Sequence, residues 1–331
     1  MKAAVIGAGL FGCMAAIELA RAGAQVDLYE RHPDLLHGGS GNSCGRLHRG
    51  YHYPRSESTA LASKAAADEF TRAYPSAVHR SAKHHYLIAP DSLVSGPDYL
   101  TFLDSLQLPY RQYGHPSVDV AVEVPESLIN VAKLRAALHR QLAAAPVRLL
   151  LGCEGGPDMP GYDLTVLATY GAHTARPLQF EVTEVAVCQL GPEYAGQSYV
   201  VLDGPYCCID PLPGTRHHLL YDVVHSVHHR TVGMRPQVPE HLRELMDAGP
   251  VRTPRTRFNR MADTARRFLG DFPATYVASM FTIRAVLPDV AATDERPTLV
   301  ERDGDTVRIL SGKIGTALAA AREITAAMVD A

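Results

Sequence analysis

The pattern of apolar positions at the start of the chain predicts a strand, a helix and a second strand in quick succession. Residues 2–6 form an apolar run that suits a buried parallel strand. Over residues 10–22 apolar side chains recur at helical spacing, and Gly23 follows as a C-cap. The next apolar run, residues 25–29, ends at Glu30. We therefore expect a β-α-β unit at the start of a parallel sheet.

The remaining pattern predicts further helices and strands, with a change of character after residue 178. Helical spacing predicts helices over residues 59–74, 98–106, 130–143, 240–248, 259–269 and 317–328. Strands are predicted over residues 81–89, 118–124, 147–151, 162–172, 180–188, 199–202, 206–210, 217–225 and 306–310. Glycine and proline turns separate the runs between 180 and 225, as in an antiparallel sheet. Alternation within residues 217–225 puts Tyr221 and His225 on the same face.

Composition narrows the class of protein. With 331 residues, 46% of them hydrophobic, the chain can bury a large core in two domains or in one large one. A formal net charge of -3 gives no basic surface for nucleic acid, and no apolar stretch is long enough to span a bilayer. Glu18 and Arg21 interrupt the apolar N-terminus where a secretory signal would stay apolar, and the six scattered cysteines suit a reducing compartment. We expect a cytoplasmic protein whose partner is a small molecule; the oligomeric state stays open.

The turn between the first strand and the first helix carries the first candidate chemistry. Its sequence, Gly7-Ala-Gly9-Leu-Phe-Gly12, has the spacing of dinucleotide-binding turns. In such a turn the first glycine makes the bend, the second lets a pyrophosphate approach the backbone, and the third lets the helix pack against the strand. The Glu30 carboxylate stands where it would accept the ribose hydroxyls. This unit predicts a dinucleotide site.

A glycine-rich polar loop, residues 36–55, follows and contains His48, Tyr51, His52 and Tyr53. Within it, the run Ser-Gly-Asn-Ser-Cys-Gly-Arg-Leu-His-Arg-Gly-Tyr-His-Tyr resembles the second fingerprint of the D-amino-acid-oxidase-like FAD-dependent oxidoreductases. It is similar to their glycine oxidase, 2-hydroxyglutarate oxidase and glycerol-3-phosphate dehydrogenase branches, and closest to the last two. The resemblance implies an α/β fold with a Rossmann-like FAD-binding domain and a second, antiparallel-sheet substrate domain.

The same resemblance implies how the chain is divided and where FAD binds. The FAD-binding domain would comprise residues 1–75, 130–177 and 285–331, and the substrate domain residues 76–129 and 178–284. The pyrophosphate would lie at the glycine turn, the ribose at Glu30 and the isoalloxazine against residues 44–50. The implied cofactor-binding residues are Gly7, Gly9, Leu10, Phe11, Gly12, Glu30, Arg31, Ser43, Cys44, Gly45, Arg46, Leu47, His48, Thr169, Gly171, Arg284, Gly312, Lys313, Ile314, Gly315 and Thr316.

Some positions depart from the family's pattern. Arg46 and Arg49, beside His48, replace the small or apolar residues usual there; Tyr170 interrupts the Ala-Thr-Gly end of a strand, and Ala285 stands where a proline is usual. His48 lies at the position of a histidine that is joined covalently to the flavin in some relatives and not in others. The sequence leaves open a tethered, a contacting or a merely packed histidine.

The implied reaction transfers a hydride from a C–H next to an amine or hydroxyl of a small polar substrate to flavin N5; amino acids, hydroxy acids and sugar-like molecules are such substrates. Arg284 lies in a run, residues 279–289, that resembles the strand holding the substrate carboxylate; a structural ion pair is the alternative.

A histidine would take a hydroxyl proton near neutral pH. The closing turn, residues 312–316, would direct a helix N-terminus at the flavin. The candidate catalytic residues are His48, His52, Tyr221, His225 and Arg284.

Three other classes share parts of this pattern. An NAD(P)-dependent dehydrogenase would share the opening unit but gives no reason for the closing glycine turn. A flavin monooxygenase would have the same fold and would consume NAD(P)H with oxygen, and a nucleotide-binding scaffold would hold FAD without turnover. A metal site is not predicted, because His225, His228 and His229 lack carboxylates at ligand spacing and are expected as solvated loop side chains.

Overall fold

The computed structural model describes residues 1–80, 82–288 and 293–329. Its helices are α1 (Leu10–Arg21), α2 (Glu57–Ala73), α3 (Gly96–Ser105), α4 (Val131–Ala143), α5 (Phe258–Leu269) and α6 (Ala317–Val329). Its strands are β1 (Lys2–Ile6), β2 (Gln25–Glu30), β3 (Arg46–Leu47), β4 (Val78–His79), β5 (Lys83–Ile88), β6 (Arg111–Tyr113), β7 (Val120–Val124), β8 (Ser127–Ile129), β9 (Val147–Leu151), β10 (Leu164–Leu167), β11 (Leu178–Gln189), β12 (Gln197–Leu202), β13 (Cys207–Pro211), β14 (His218–Asp222), β15 (Val227–Gly233), β16 (Thr275–Val286), β17 (Leu299–Asp303) and β18 (Thr306–Leu310). Short 3₁₀ helices occupy Pro192–Tyr194, Glu240–Leu245 and Ile314–Thr316.

A mostly parallel six-stranded sheet, in the order β17-β18-β10-β1-β2-β9, contains the predicted β-α-β unit. β1 pairs in parallel with β2 and β10, and among the described strands of this sheet only the edge strand β17 runs antiparallel to its neighbour. Ala3 and Val5 of β1 pack in the core formed with α1, α4 and α6, whereas Ala4 and Ile6 pack with Leu167 in a separate cluster. Burial on both faces explains why the strand is a continuous apolar run and does not alternate.

A second sheet of nine strands has the order β15-β11-β14-β13-β12-β5-β7-β6, with β16 also paired to β11. Its pairs are antiparallel, as predicted, except that β5 and β12 run parallel. These two strands come from distant parts of the chain, so no hairpin constrains their relative direction. Met261, Ala265 and Phe268 of α5 lie in one core cluster with residues of this sheet. A third, three-stranded sheet has the order β3-β8-β4.

The strands of the first sheet all fall within the ranges predicted for the FAD-binding domain, residues 1–75, 130–177 and 285–331. The long strands of the second sheet fall almost entirely in the predicted substrate ranges. The division into two domains is compatible with this arrangement and stays a prediction. Over the described ranges, no helix combines the length and the apolarity needed to cross a lipid bilayer.

The predicted strand over residues 217–225 is wrong at its C-terminal end. β14 stops at Asp222, and a turn follows before β15. The Asp222 carboxylate accepts hydrogen bonds from the N–H groups of Val224 at 2.9 Å and His225 at 2.6 Å. An aspartate that binds backbone groups two and three residues ahead favours a turn over a continued strand.

Other predicted bounds also shift. The helix predicted over residues 240–248 is a 3₁₀ helix at Glu240–Leu245, and the strand predicted over 162–172 is confined to Leu164–Leu167. Some predicted bounds lie outside the described residues. They are Ser81 and Asp289, at the ends of two predicted strands, and the last two residues of the predicted FAD-binding domain.

Candidate active site

A cavity of about 560 Å³ opens at the carboxyl ends of β1, β2, β10 and β18. This is the edge at which parallel α/β sheets bind ligands. Thr282, Ile283 and Arg284 of β16 also line the cavity. The predicted cofactor-binding residues that line it are Gly7, Gly9, Leu10, Phe11, Glu30, Arg31, Ser43, Cys44, Gly45, Arg46, His48, Thr169, Arg284, Gly312, Lys313 and Ile314. The predicted residues outside its lining are Gly12, Leu47, Gly171, Gly315 and Thr316.

The glycine turn after β1 leaves no room for a side chain at two of its three glycines. Gly7 has φ +95°, and a Cβ there would lie 2.8 Å from the Ala168 carbonyl oxygen. A Cβ on Gly12 would lie 1.8 Å from the Gly7 carbonyl oxygen, so α1 packs directly against the turn. This explains why Gly12 stands behind the cavity wall. Gly9, at the start of α1, lies in the wall, which leaves the helix N-terminus accessible to an anion.

Glu30 lies in the cavity wall at the end of β2 and is held by backbone groups. Its Oε2 accepts the Ala8 N–H at 2.7 Å, and its Oε1 accepts the His32 N–H at 2.9 Å. Each carboxylate oxygen has a further lone pair, so both can also accept a ribose hydroxyl. The neighbouring Arg31 guanidinium pairs with Asp247 at 3.2 Å. The geometry is compatible with the predicted ribose role of Glu30.

His48 and Lys313 contribute to the same cavity. The His48 ring lies 4.8 Å, centre to centre, from the ring of His52, which stands outside the lining. The Lys313 Nζ lies 4.3 Å from the centre of the Tyr53 ring. Burial, together with the charge of Lys313, holds the pKa of both His48 and His52 well below its usual range, so both rings are neutral near pH 7. Burial also lowers the pKa of Lys313 to about 7. The cavity therefore has a neutral imidazole and a lysine whose charge changes near neutral pH.

Arg46, one of the predicted cofactor-binding residues in the cavity lining, also lies at the centre of a buried polar network. Its guanidinium donates to Glu126 at 3.1 Å and to Ser198 at 2.6 Å, and it also pairs with Asp210. Glu126 accepts a further hydrogen bond from the Tyr86 hydroxyl at 2.8 Å. All of these side chains are buried, so Arg46 ties the glycine-rich loop to the nine-stranded sheet. Sequence spacing carries no signal for the two carboxylates, which lie 80 and 164 residues further along the chain.

Arg284 lines the cavity and also makes the structural ion pair that the sequence left as the alternative. Its Nε donates to Glu181 Oε2 at 2.7 Å, and its Nη2 contacts the same oxygen. Arg230 donates to the other oxygen of Glu181 at 3.0 Å. The Arg284 side chain keeps 34% exposure, and its guanidinium carbon lies 6.0 Å from the centre of the Tyr221 ring. The Tyr221 hydroxyl is buried and has no hydrogen-bond partner among the described residues, and Tyr221 itself stands outside the cavity lining.

Tyr170, which the sequence presented as an interruption, belongs to the cavity wall. It has φ +53°, and Gly171 follows with φ +82°, so the chain turns sharply after β10. A Cβ on Gly39 would lie 3.2 Å from the Tyr170 ring, which indicates that a glycine of the loop over residues 36–55 makes room for this ring. Sequence reasoning missed this residue because the pairing joins two loops more than a hundred residues apart.

Two histidine predictions are corrected by the structure. His225 lies in the turn after β14 and outside the cavity lining, so it does not share a strand face with Tyr221. His228 is not a solvated loop residue, because it lies in β15 with its Nε2 2.7 Å from the buried Glu184 carboxylate. That carboxylate also accepts the Ser279 hydroxyl, so the cluster is part of the packing between β11, β15 and β16.

Comparisons with known proteins show similarity in sequence and in fold to FAD-dependent enzymes. Residues 2–155 match the family described as FAD dependent oxidoreductase. The chain is 28% identical over 347 residues to the FAD-dependent monooxygenase FPY4 of Fusarium mangiferae, which covers 98% of this chain and 90% of that protein. Among solved structures it is similar to glycine oxidase from Geobacillus kaustophilus, with a TM-score of 0.68, 15% identity and coverage of 98% and 93% of the two chains. It is also similar to L-proline dehydrogenase from P. horikoshii, with a TM-score of 0.69, 14% identity and coverage of 99% and 92%.

Residues 2–155 thus match the FAD dependent oxidoreductase family, and the fold is shared with glycine oxidase and L-proline dehydrogenase structures; both findings agree with the resemblance to the D-amino-acid-oxidase-like family that the sequence shows. The chain is an enzyme whose cofactor is FAD. The residues present fit that cofactor, because the Gly7 and Gly12 backbones are packed too closely for side chains, Gly9 leaves the start of α1 accessible and Glu30 keeps free acceptor sites. Which side chains contact the flavin ring stays a prediction.

Proposed function

We propose that the chain oxidises a small polar substrate at a C–H next to an amine or hydroxyl. When bound, FAD supplies an acceptor for the hydride at its N5 atom. One observation carries the proposal: a single cavity has the dinucleotide turn and Glu30 in its wall together with Arg284, His48 and Lys313. A site built this way holds the cofactor and a charged or polar substrate side by side.

An α-amino or α-hydroxy acid fits the charges of this cavity best. Arg284 offers a permanently charged fork with a part-exposed side chain, and its second bond to Glu181 fixes the plane of the guanidinium. Two structural neighbours, glycine oxidase and L-proline dehydrogenase, carry names that point to amino acid substrates. Their low identity supports the fold alone, so the carboxylate role of Arg284 is the substance of the proposal.

His48 is the residue best placed to accept a proton from a hydroxyl substrate. It lines the cavity, and its lowered pKa keeps the ring near pH 7 in the neutral form that can accept a proton, while making it a weaker base than an exposed imidazole. Its Nδ1 is buried 3.9 Å from the Glu126 carboxylate and makes no hydrogen bond within the part of the chain that the structure describes. Glu126 would stabilise the imidazolium that forms. An amine substrate needs no such base once it is bound in its neutral form.

The test of the substrate class is anaerobic reduction of the bound flavin. Purified yellow protein is mixed without oxygen with amino acids, hydroxy acids, polyols and aminosugars, and the loss of the flavin absorbance is followed. Bleaching by one class of substrate without any nicotinamide nucleotide supports the proposal. The absence of bleaching across the whole panel would contradict it.

Arg284→Ala, with Arg230→Ala as its matched control, tests the carboxylate clamp. Both arginines bind Glu181, but only Arg284 lines the cavity. Loss of charge-assisted hydrogen bonds worth about 1.5–3 kcal/mol should weaken the apparent affinity for a carboxylate substrate about 10- to 100-fold in Arg284→Ala. Arg230→Ala should change it little. An unchanged affinity in Arg284→Ala removes Arg284 from the substrate site.

A second candidate is a flavin monooxygenase, and the full-length similarity to FPY4, a protein named as an FAD-dependent monooxygenase, favours it. Such an enzyme would oxidise NAD(P)H with oxygen and insert an oxygen atom into its substrate. Consumption of NAD(P)H that rises on adding substrate, together with a product heavier by one oxygen atom, would support this reading. Bleaching by substrate alone would favour the first.

A further inference from the structure

Two thiols from distant parts of the chain meet at the wall of the cofactor cavity. Cys44 precedes β3 in the glycine-rich loop and lines the cavity, and Cys208 lies in β13 of the nine-stranded sheet. Their Sγ atoms are 3.9 Å apart, although 164 residues separate them in the sequence. Both side chains are partly buried, and neither has a role in the reaction proposed above.

The surroundings of this pair favour a bond between the sulfurs over a metal ion. An oxygen of the Asp210 carboxylate lies within 4.8 Å of both sulfurs, so three potential ligands stand together. That carboxylate is already bound by Arg46, and the Ser198 hydroxyl donates to it at 2.7 Å. A guanidinium in contact with a ligand repels a metal cation, and the three groups that the described residues offer fall short of the four that a structural zinc site requires.

Cys207, the neighbour of Cys208 in the chain, is badly placed to form a disulfide with it. Successive side chains of a strand point to opposite faces, so Cys207 and Cys208 leave β13 in opposite directions. Cys207 is buried in the core cluster that contains α5, whereas Cys208 packs against a different cluster. The partner within reach of Cys208 is therefore Cys44.

We propose that Cys44 and Cys208 are a redox site that forms a reversible disulfide, with hydrogen peroxide as the oxidant. The Cys44 thiolate attacks one peroxide oxygen, the O–O bond breaks, and the departing hydroxide takes up a proton to become water. The Cys208 sulfur then attacks the resulting sulfenic acid, the S–S bond forms, and the second oxygen leaves as water. Two thiols are oxidised to one disulfide while one peroxide is reduced to two waters. The bond fastens the cofactor loop to the nine-stranded sheet.

The rate of this reaction should rise with pH. The hydrogen bond with Cys208 and burial raise the pKa of Cys44; the nearby Asp210 carboxylate raises it further, while Arg46 opposes the shift. Tyr221, a further titratable group nearby, packs against the same apolar cluster as Cys44. Cys44 is therefore a thiol near neutral pH, and since only the thiolate attacks, each pH unit should accelerate the reaction about tenfold.

The experiment maps the disulfide in the FAD-bound protein as purified. The protein is treated with hydrogen peroxide near pH 7 and near pH 9, its remaining thiols are blocked after denaturation, and a digest made without reductant is analysed by mass spectrometry. We expect a cross-linked peptide that joins Cys44 to Cys208, the loss of two of the six free thiols, and recovery of both on adding dithiothreitol. Cys207→Ser should cross-link as the wild type does, and Cys44→Ser and Cys208→Ser should not.

Three results would overturn the proposal: a disulfide between Cys207 and Cys208, oxidation of single cysteines to sulfinic acid without a cross-link, or no loss of thiols at the higher pH. A rate independent of pH would contradict attack by the Cys44 thiolate. The mapping is carried out on the wild-type protein, so a poorly folding variant does not affect the outcome.

Discussion

Lys313→Met tests the electrostatics of the candidate active site without any substrate. Burial lowers the pKa of Lys313 from 10.5 to about 7. Between these two values the unfolded chain carries a proton that the folded chain has lost, so the free energy of unfolding rises with pH across this window. The destabilisation by the buried charge is complete below pH 7 and is relieved as the pH approaches 10.5. Methionine is similar in length and has no charge, so the variant removes this dependence.

The size of the effect follows from the pKa difference. A lowering by about 3.5 units corresponds to roughly 5 kcal/mol at about 1.36 kcal/mol per unit. With half of the folded chains protonated at pH 7, the variant should be more stable than the wild type by up to about 4 kcal/mol there. At pH 9 the difference between the two proteins should fall to about 2 kcal/mol. The folded protein then carries a neutral lysine, and the pH lies only about 1.5 units below the pKa of that lysine in the unfolded chain.

The assay is urea unfolding of the FAD-free protein, followed by circular dichroism at several pH values from 7 to 9. The difference between wild type and variant cancels the contributions of the other titrating groups. Lys83→Met is the matched control, because Lys83 is exposed at the start of β5, and this variant should keep the pH dependence of the wild type. Equal pH dependence in wild type and Lys313→Met would refute the argument that burial holds this lysine near its point of deprotonation.

Two further substitutions test the cofactor turn and the buried ion network. Gly12→Ala should give a colourless purified protein, because its Cβ would lie 1.8 Å from a backbone oxygen. Gly156→Ala, which has open space around it, should stay yellow. The flavin absorbance distinguishes the two variants, and a yellow Gly12→Ala protein would contradict the close packing of α1. Arg46→Met should lower the free energy of unfolding by about 3–5 kcal/mol, because it leaves two buried carboxylates without their cation. Arg49→Met, which loses a pair with an exposed carboxylate, should lose about 1 kcal/mol or less, and equal losses in urea unfolding would count against the network.

Local signals account for the parts of the fold that the sequence predicts well. The opening strand, α1 and β2 are confirmed within a residue or two, because apolar runs, helical spacing and the glycine turn lie within thirty consecutive residues. The requirement for glycine at Gly7 and Gly12 is confirmed by the space around them. These features depend on neighbours in the chain, and a sequence contains that information directly.

Contacts between distant segments account for what the sequence could not predict. The partners of Arg46 lie in strands and loops far along the chain, and no spacing rule connects them to it. The error at His225 has a local cause instead: the alternation of apolar residues continues past Asp222, but its side chain captures the backbone and ends the strand. Tyr170 was missed because its place in the wall depends on a glycine in another loop.

The ion pair with Glu181 and the proposed substrate clamp are compatible roles for Arg284. The sequence set a substrate clamp against a structural ion pair, yet one buried carboxylate here serves two arginines, Arg284 and Arg230, so the group keeps a net positive charge. Glu181 binds Nε and Nη2 of Arg284, and the Nη1 of that fork makes no hydrogen bond to any residue in the described part of the chain. Because the ion pair fixes one edge of the guanidinium, it lowers the entropy that a substrate carboxylate would have to remove on binding the other edge. In the proposed substrate role, the ion pair would orient the guanidinium, whereas a lysine at this position, with a single ammonium group, would have to give up one of the two contacts.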